Sequence, residues 1–308
     1  MPVRIVTDST ADLTPQLARE LGITVVPVYV RFGHESYRDG IDISREEFYE
    51  RLVTSPVHPT TSQPTPADFV QVYRELSKET DKIVSIHVSG KLSGTCNSAL
   101  QGKELAETKC DIKVIDSESA TMGLGMTVLA AARLATSGES LQKITDEVKQ
   151  AIPNTHLLGL FDTLKYLLLG GRIGKAKALL GGILNVKPLL TLRDGELHPI
   201  GNVRTRVKGI ERLSDFVKNA LGIQELAVVH TTTLDEASSL KDRLSSFVDT
   251  SRLHLARLAP ALGVHTGPGL LAVVLRRKST SDKDESQSNA RKMHVPSLHL
   301  PKVNLPHR

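Results

Sequence analysis

The 308-residue sequence predicts an α/β protein. In its first 30 residues a strand pattern, a helix pattern and a second apolar run follow one another, which is typical of a parallel βαβ unit. Runs of β-prone apolar residues continue to alternate with helix-spaced apolar residues through the second half. We place a boundary at Ile152-Pro153-Asn154, which predicts domains over 1–153 and 154–278, and the polar composition of 279–308 predicts a disordered tail.

Local signals in the first half predict its elements in order. Thr14 followed by Pro15 predicts a helix start, and Ser44 predicts another as an N-cap. The apolar run 23–30 is predicted as one strand, and the proline-rich segment 55–66 as a loop. The remaining patterns predict strands over 3–7, 83–88 and 112–116, helices over 66–78 and up to 108, and two helices through 151.

The second half shows the same alternation. Arg193-Asp194-Gly195 predicts a hairpin turn between strands 186–192 and 196–203. Strong helix periodicity places Val207, Ile210, Leu213, Val217 and Leu221 on one face of a helix. Other patterns predict strands over 156–161, 226–230, 253–258 and 270–275, helices over 162–169 and 237–247, a glycine-rich turn over 170–174, a helical or loop segment over 176–183 and a loop over 263–269.

Composition excludes several function classes. The net charge is +5 without a dense basic block, and aromatic residues make up only 4%, which argues against nucleic-acid binding. Two cysteines predict neither a disulfide framework nor a zinc site. No secretory signal pattern and no membrane-spanning apolar run is found in the sequence, so we predict a cytoplasmic protein.

The common catalytic motifs are also absent from the sequence. It contains no GxxxxGK[ST] phosphate loop, no GxGxxG after a strand, no GxSxG elbow and no HExxH pair. We therefore predict neither catalytic residues nor metal ligands. What remains is a set of hydroxyl groups and glycines at predicted strand ends.

The segment 88–99 is the most informative of these. A buried strand breaks there into serine and glycine and a helix pattern follows, which is typical of an anion site at a helix N-terminus. Ligands of open parallel sheets bind at the carboxyl ends of the strands. Similar hydroxyl groups end other predicted elements, although each could be a helix cap or an exposed turn residue: Asp8-Ser9-Thr10, Thr60-Thr61-Ser62 and Asp116-Ser117.

Three further residues are candidates on residue type alone. His265 lies between glycines, and Arg172 and Arg204 could bind an anion through their guanidinium groups. A structural or surface histidine and two solvated surface charges are the alternatives that this pattern leaves open.

At these residues the sequence resembles the DegV family of bacterial fatty-acid-binding proteins. The similarity runs in one order from the N-terminus to about Lys278. It rests on segments 6–13, 37–43, 61–64, 89–95, 97–99, 116–117, 170–173, 187–189 and 265–269.

The resemblance implies two α/β domains with the ligand between them. The N-terminal domain would have a mostly parallel sheet with helices on both faces, and the C-terminal domain a mixed sheet. The ligand would be a long-chain fatty acid such as hexadecanoate, with no cofactor. The residues implied to bind its carboxylate are Thr61, Ser62, Ser93, Gly94, Thr95 and His265.

The resemblance also implies a protein partner. Family members of known role are the lipid-binding subunit of fatty acid kinase and present the carboxyl group to a kinase that uses ATP and Mg²⁺. Arg172 and Arg204 would then lie at the phosphoryl-transfer end or face the partner. We expect no enzyme activity of the chain by itself, and transient membrane contact stays open.

The acyl tunnel is the last implied feature. Leu158, Leu160, Phe161, Leu164 and Leu168 are expected to line it, unless they are plain core. A lipid-sensing regulator and a stand-alone enzyme for a small anionic metabolite remain alternatives.

Overall fold

The fold is described from a computed structural model, over residues 2–179 and 186–278. The predicted disordered tail over 279–308 and residues 180–183 of the segment 176–183 lie outside the described residues. The strands are β1 (Arg4–Asp8), β2 (Ile23–Val26), β3 (Tyr29–Phe32), β4 (Glu35–Arg38), β5 (Thr60–Ser62), β6 (Lys82–His87), β7 (Asp111–Asp116), β8 (Thr155–Leu160), β9 (Lys187–Arg193), β10 (Glu196–Val203), β11 (Ile223–His230), β12 (Leu253–Arg257) and β13 (Leu271–Arg277).

Helices connect most of these strands, and 3₁₀ turns at Ser9–Ala11 and Gly174–Leu179 add to them. The α-helices are α1 (Pro15–Glu20), α2 (Arg45–Thr54), α3 (Pro66–Leu76), α4 (Thr95–Ala106), α5 (Thr121–Thr136), α6 (Leu141–Asn154), α7 (Lys165–Leu169), α8 (Arg206–Lys218), α9 (Leu234–Leu244) and α10 (Pro260–Thr266).

The N-terminal half contains the predicted parallel sheet, with strand order β2-β1-β6-β7. Both predicted caps are confirmed: the Thr14 hydroxyl accepts from Leu17 N–H and the Ser44 hydroxyl from Glu47 N–H. Alternate strand residues face opposite helix layers, which confirms helices on both faces. Ile5 packs in the core that contains α5, and Val6 packs with residues of α3 and α4.

The prediction of a single strand over 23–30 was wrong. The run divides at Pro27, which has no N–H to donate to a ladder, into β2 and β3. β3 turns away from the parallel sheet and pairs with β4 and β5 in a separate antiparallel sheet, in the order β4-β3-β5. The predicted loop 55–66 therefore contains a short strand, β5, which carries the Thr60–Ser62 hydroxyls.

The C-terminal half forms the mixed sheet, in the order β10-β9-β8-β13-β11-β12. β11 and β12 are parallel, and the other neighbouring pairs are antiparallel. The predicted hairpin turn is confirmed, because Asp194 (φ 50°) and Gly195 (φ 74°) both adopt the left-handed conformation of a tight hairpin. The predicted apolar face of α8 is only partly buried: Leu213 and Val217 are fully buried, whereas Val207 and Leu221 are exposed.

Two core layers flank this mixed sheet. One face packs against α8 and α9. The other face packs against α5 and α6, and these two helices also contact the parallel sheet of the N-terminal half. One apolar cluster therefore runs from one half of the chain into the other, while the division into domains at 153/154 stays a prediction.

The predicted loop 263–269 was also wrong in its first part. Residues up to Thr266 belong to α10, and Gly263 lies inside this helix. A Cβ atom on Gly263 would come within 2.5 Å of the Phe48 ring, so this glycine permits close helix packing. α10 packs with α2 and the small sheet of the N-terminal half through Ala261 and Val264.

Candidate functional site

A cavity of about 350 Å³ lies between the mixed sheet and the N-terminal half. Its floor is one face of the mixed sheet, where Leu157, Gly159 and Phe161 alternate along and just beyond β8. In the row across the strands, Gly159 pairs with Ala272, and Ala272 pairs with Val229. Small residues in this row leave the space that forms the cavity.

This alternation corrects the predicted tunnel residues. Of the five, only Phe161 lines the cavity. Leu158 and Leu160 point to the opposite face of the sheet and pack in the cluster with α8 and α9. Leu164 is buried in the larger core, and Leu168 is half exposed. The predicted set combines Leu158 and Leu160 with Phe161, although adjacent strand residues face opposite sides of a sheet.

The cavity wall is mostly apolar, with nine polar side chains among its residues. Two thirds of the lining residues are apolar, which suits an aliphatic ligand. The polar members come from both halves of the chain, and they are Thr10, Thr61, Ser62, Gln63, Ser93, Thr121, Arg172, His265 and Thr266.

Thr61 and His265 meet in this wall although they are 204 residues apart. The Thr61 Oγ1 and His265 Nε2 atoms are 3.0 Å apart. β5 is held by antiparallel pairing with β3, in which Thr61 lies opposite Val30. α10 packs on the same small sheet, so one structural unit holds both side chains.

The surroundings of His265 keep its ring neutral. Burial, with the Arg172 and His58 charges, lowers the pKa of His265 to about 4. The Nδ1 atom is buried without a hydrogen-bond partner. A Cβ atom on Gly170 would come within 2.1 Å of that nitrogen, which explains the first glycine of the Gly170-Gly171-Arg172 turn.

The segment 93–95 forms the start of α4. The Ser93 and Thr95 hydroxyl oxygens are 2.8 Å apart, and Thr95 N–H donates to Ser93 Oγ over 3.3 Å. Gly94 is the N-cap, and a Cβ atom there would overlap the Gln63 amide at 2.0 Å. First-turn N–H groups and the Ser93 hydroxyl thus lie together at a helix N-terminus of partial positive charge.

Of the predicted binding residues, Thr61, Ser62, Ser93 and His265 line the cavity. Gly94 and Thr95 adjoin it through the start of α4.

The two predicted arginines, Arg172 and Arg204, differ in their position relative to the cavity. Arg172 lines the cavity, and its guanidinium donates to the Leu92 carbonyl at 3.2 Å and the Gly170 carbonyl at 2.8 Å.

Arg204 is exposed just after β10 and does not line the described cavity. Its predicted partner-facing role stays a prediction.

Sequence reasoning did not single out Thr121, Thr266 or Gln63 as ligand-contacting. Gln63 was visible only as part of the segment 61–64, and its amide donates to Ser98 Oγ over 2.9 Å. Thr121 starts α5, and its hydroxyl donates to Asp12 over 2.5 Å. Gln63 and Thr266 lie in segments that resemble the family, but the residue pattern gives neither of them a ligand contact, and Thr121 lies outside those segments.

A chain of buried polar side chains resembles a hydrolase triad in its geometry. Asp8 Oδ2 is 3.0 Å from His87 Nδ1, and His87 Nε2 is 2.7 Å from Ser85 Oγ. Tyr73 OH donates to the same serine oxygen over 2.8 Å. All four residues are fully buried and lie outside the described cavity wall. No substrate can reach Ser85, so we assign these residues a structural role: Asp8 accepts from Val88 N–H and fixes the start of segment 88–99.

The described part of the chain offers neither a candidate metal-binding cluster nor a helix that could span a membrane. Within residues 2–179 and 186–278, His, Cys, Asp and Glu side chains form no group of three that could hold a metal ion. In the same ranges, every helix is too short or too polar to cross a bilayer.

Comparison with known proteins gives one consistent result. A family model described as "Uncharacterised protein, DegV family" matches residues 2–278. A DegV domain-containing protein of Caldanaerobacter subterraneus is 38% identical over 280 residues, which cover 90% of this chain and 99% of the relative.

Solved structures resemble the whole described fold. One is described as showing fatty acid binding of a DegV family protein from Thermus thermophilus; it is 34% identical, with a TM-score of 0.82, and the match covers 90% of this chain and 100% of that one. Another is a stearic acid-binding protein from Eubacterium ventriosum, which is 27% identical with a TM-score of 0.81 over 89% of this chain and 98% of that one.

Proposed function

This chain belongs to the DegV family, and on that premise we propose that it binds a long-chain fatty acid in the cavity between its two halves. The observation that carries the proposal is the cavity wall, which is mostly apolar and includes Thr61, Ser93 and His265 among its nine polar residues. Fatty acid binding by relatives of the same fold supports it.

The two ends of such a ligand would be held by different forces. Burial of roughly 0.8 kcal/mol per methylene gives a 16-carbon chain on the order of 10 kcal/mol before entropic costs. The hydroxyl groups and the start of α4 then need only orient the carboxylate. Hydrogen bonds to a charged acceptor are the stronger kind, which suits a head group that must keep one position.

His265 has a specific part in this arrangement. A carboxylate only accepts hydrogen bonds, so Thr61 must direct its hydroxyl proton at the ligand. That is possible when neutral His265 carries its proton on Nε2, because the Nε2–H group then donates a hydrogen bond to Thr61 Oγ1, 3.0 Å away. The low pKa of His265 keeps the ring neutral above about pH 4. We assign His265 the role of orienting the Thr61 hydroxyl.

Native mass spectrometry of protein purified from cells tests lipid binding. We expect the protein to carry C14–C18 fatty acids, because most residues that line the cavity are apolar and burial of a long acyl chain there gives high affinity. Denaturing extraction of the same sample should release the same acids. An empty protein or a small polar ligand would contradict the proposal and favour an enzyme for a small anionic metabolite.

We further propose that the chain presents the bound carboxylate to a separate kinase that uses ATP and Mg²⁺. In that step a carboxylate oxygen attacks the γ-phosphorus of ATP, the bond to the β-phosphate oxygen breaks, and acyl phosphate and ADP form. The absence of a phosphate-loop motif in the sequence supports a partner for this chemistry. Arg172 would stabilise charge at the reacting end, and exposed Arg204 would face the partner.

Reconstitution tests the kinase step. The lipid-loaded protein, a fatty acid kinase catalytic subunit and Mg²⁺-ATP should yield acyl phosphate, detected as the acyl hydroxamate, and neither protein alone should do so. Arg172→Ala should lower the yield at unchanged lipid content. Lipid-loaded protein that gives no product would instead favour a lipid-sensing regulator. The cytoplasmic location and transient membrane contact stay predictions.

A further inference from the structure

The first turn of α10 is capped by side chains from the other half of the chain. Asp12 Oδ1 accepts a hydrogen bond from Ala259 N–H over 2.7 Å, and Asp39 Oδ2 accepts one from Ala261 N–H over 3.3 Å. α10 belongs to the C-terminal half by sequence and carries His265. Both carboxylates belong to the N-terminal half, more than 200 residues away.

The sequence of α10 explains why it needs outside caps. Its N-cap is Ala259, whose side chain has no oxygen to accept a hydrogen bond, and its first residue is Pro260, which has no N–H. The N–H groups of a helix start lack partners within the helix. The two carboxylates supply acceptors at this start, where negative charge is also favourable.

The carboxylates are themselves held in place and buried. Thr121 donates to Asp12 over 2.5 Å, and Ser9 donates to Asp39 Oδ2 over 3.0 Å. Asp12 is 2% exposed and Asp39 is 4% exposed. Burial raises the pKa of Asp12 to about 6 and that of Asp39 to about 7. Burying acids costs stability, and apolar residues could fill the same space at lower cost, so packing alone does not explain them.

The far end of α10 lies in the candidate head-group site. His265 is six residues beyond Ala259, about 9 Å along the helix axis. The helix is short, so a shift at its start would carry through to His265. Tyr49 OH, which donates to the Leu258 carbonyl over 3.2 Å, adds a third contact from the N-terminal half just before the helix.

We propose that Asp12 and Asp39 are positioning residues, which hold the start of α10 so that His265 stays within hydrogen-bond distance of Thr61. One expected consequence, a preference for a fatty acid over the corresponding alcohol, rests on the proposed function. The placement of His265 does not rest on it, and that placement can be measured in the protein without lipid.

Asp39→Ala and Asp39→Asn form a matched pair for the test. Ser9 and Ala261 donate to the same oxygen, Oδ2 of Asp39, so one amide oxygen of Asn can accept both hydrogen bonds. Ala removes the acceptor. If Asp39→Ala does not fold, Asp12→Asn replaces it, because Ala259 and Thr121 donate to different oxygens of Asp12 and Asn offers only one.

NMR titration of His265, assigned by comparison with His265→Gln, is the first measurement. In the delipidated wild type we expect a pKa of about 4. In Asp39→Ala it should rise towards the ordinary value, because a displaced ring is better hydrated, and Asp39→Asn should resemble the wild type. An unchanged titration in a folded Asp39→Ala protein overturns the proposal.

Competition between hexadecanoate and hexadecanol is the second measurement. Asp39→Ala should weaken hexadecanoate binding at least tenfold and hexadecanol binding less than threefold, whereas Asp39→Asn should change neither. Equal weakening of both ligands would indicate a merely structural role and overturn the proposal. If the wild type binds no hexadecanoate, the proposed function fails, and the His265 titration alone decides the positioning role.

Discussion

The double variant Thr61→Val, Ser93→Ala is expected to lose its bound fatty acid. Both hydroxyls line the cavity. In the proposed binding mode each donates one hydrogen bond to the carboxylate, and each substitution removes one of these bonds. Hydrogen bonds to charged groups contribute about 1.5–3 kcal/mol each, so affinity for hexadecanoate should fall by roughly 10²- to 10⁴-fold. Native mass spectrometry and a fluorescent fatty acid competition assay measure the loss.

The neighbouring Thr60→Val variant is the matched control. Thr60 is exposed on the same strand and lies outside the described cavity wall. The substitution therefore makes the same change of threonine to valine at a position that does not contact the site. We expect it to bind hexadecanoate like the wild type. Binding of hexadecanol should change much less than binding of hexadecanoate in the double variant. Unchanged lipid content in that variant would refute the head-group assignment.

Most elements of the fold could be predicted because local chemistry determines them. Thr14-Pro15 and Ser44 start helices by their own hydrogen bonds, and Asp194-Gly195 forms the hairpin turn through its left-handed backbone. Pro27 shows the limit of this reasoning. It ends β2, but nothing in the sequence says that the next residues join a different sheet with β5.

The candidate site could be predicted in part for the same reason. Ser93 was visible because a strand, small residues and a helix start follow one another in the chain. The contact between Thr61 and His265 depends on the packing of α10 on the small sheet, which no local pattern reports. The wall residues of β8 depend on which face is turned to the cavity, and this choice reversed the expectation for Leu158 and Leu160.

A second substitution with a large expected effect on fatty acid binding is at Ala272, which lies on the same face of the mixed sheet as the cavity-lining residues of β8. This residue lies on the central strand β13 between Gly159 and Val229, and all three side-chain positions line the cavity. Ala272→Phe should place a ring in the space that the acyl chain needs. We expect affinity for hexadecanoate to fall at least 100-fold, with a smaller loss for octanoate, measured by isothermal titration calorimetry on delipidated protein.

Stability distinguishes this blocking effect from damage to the core. A larger side chain is costly where the interior is already filled, but here it would occupy a cavity, so the free energy of unfolding should stay the same or rise. Ala272→Ser, which nearly preserves the volume, is the control and should bind hexadecanoate within a few-fold of the wild type. If a folded Ala272→Phe protein binds hexadecanoate with wild-type affinity, the acyl chain does not lie on this face of the mixed sheet.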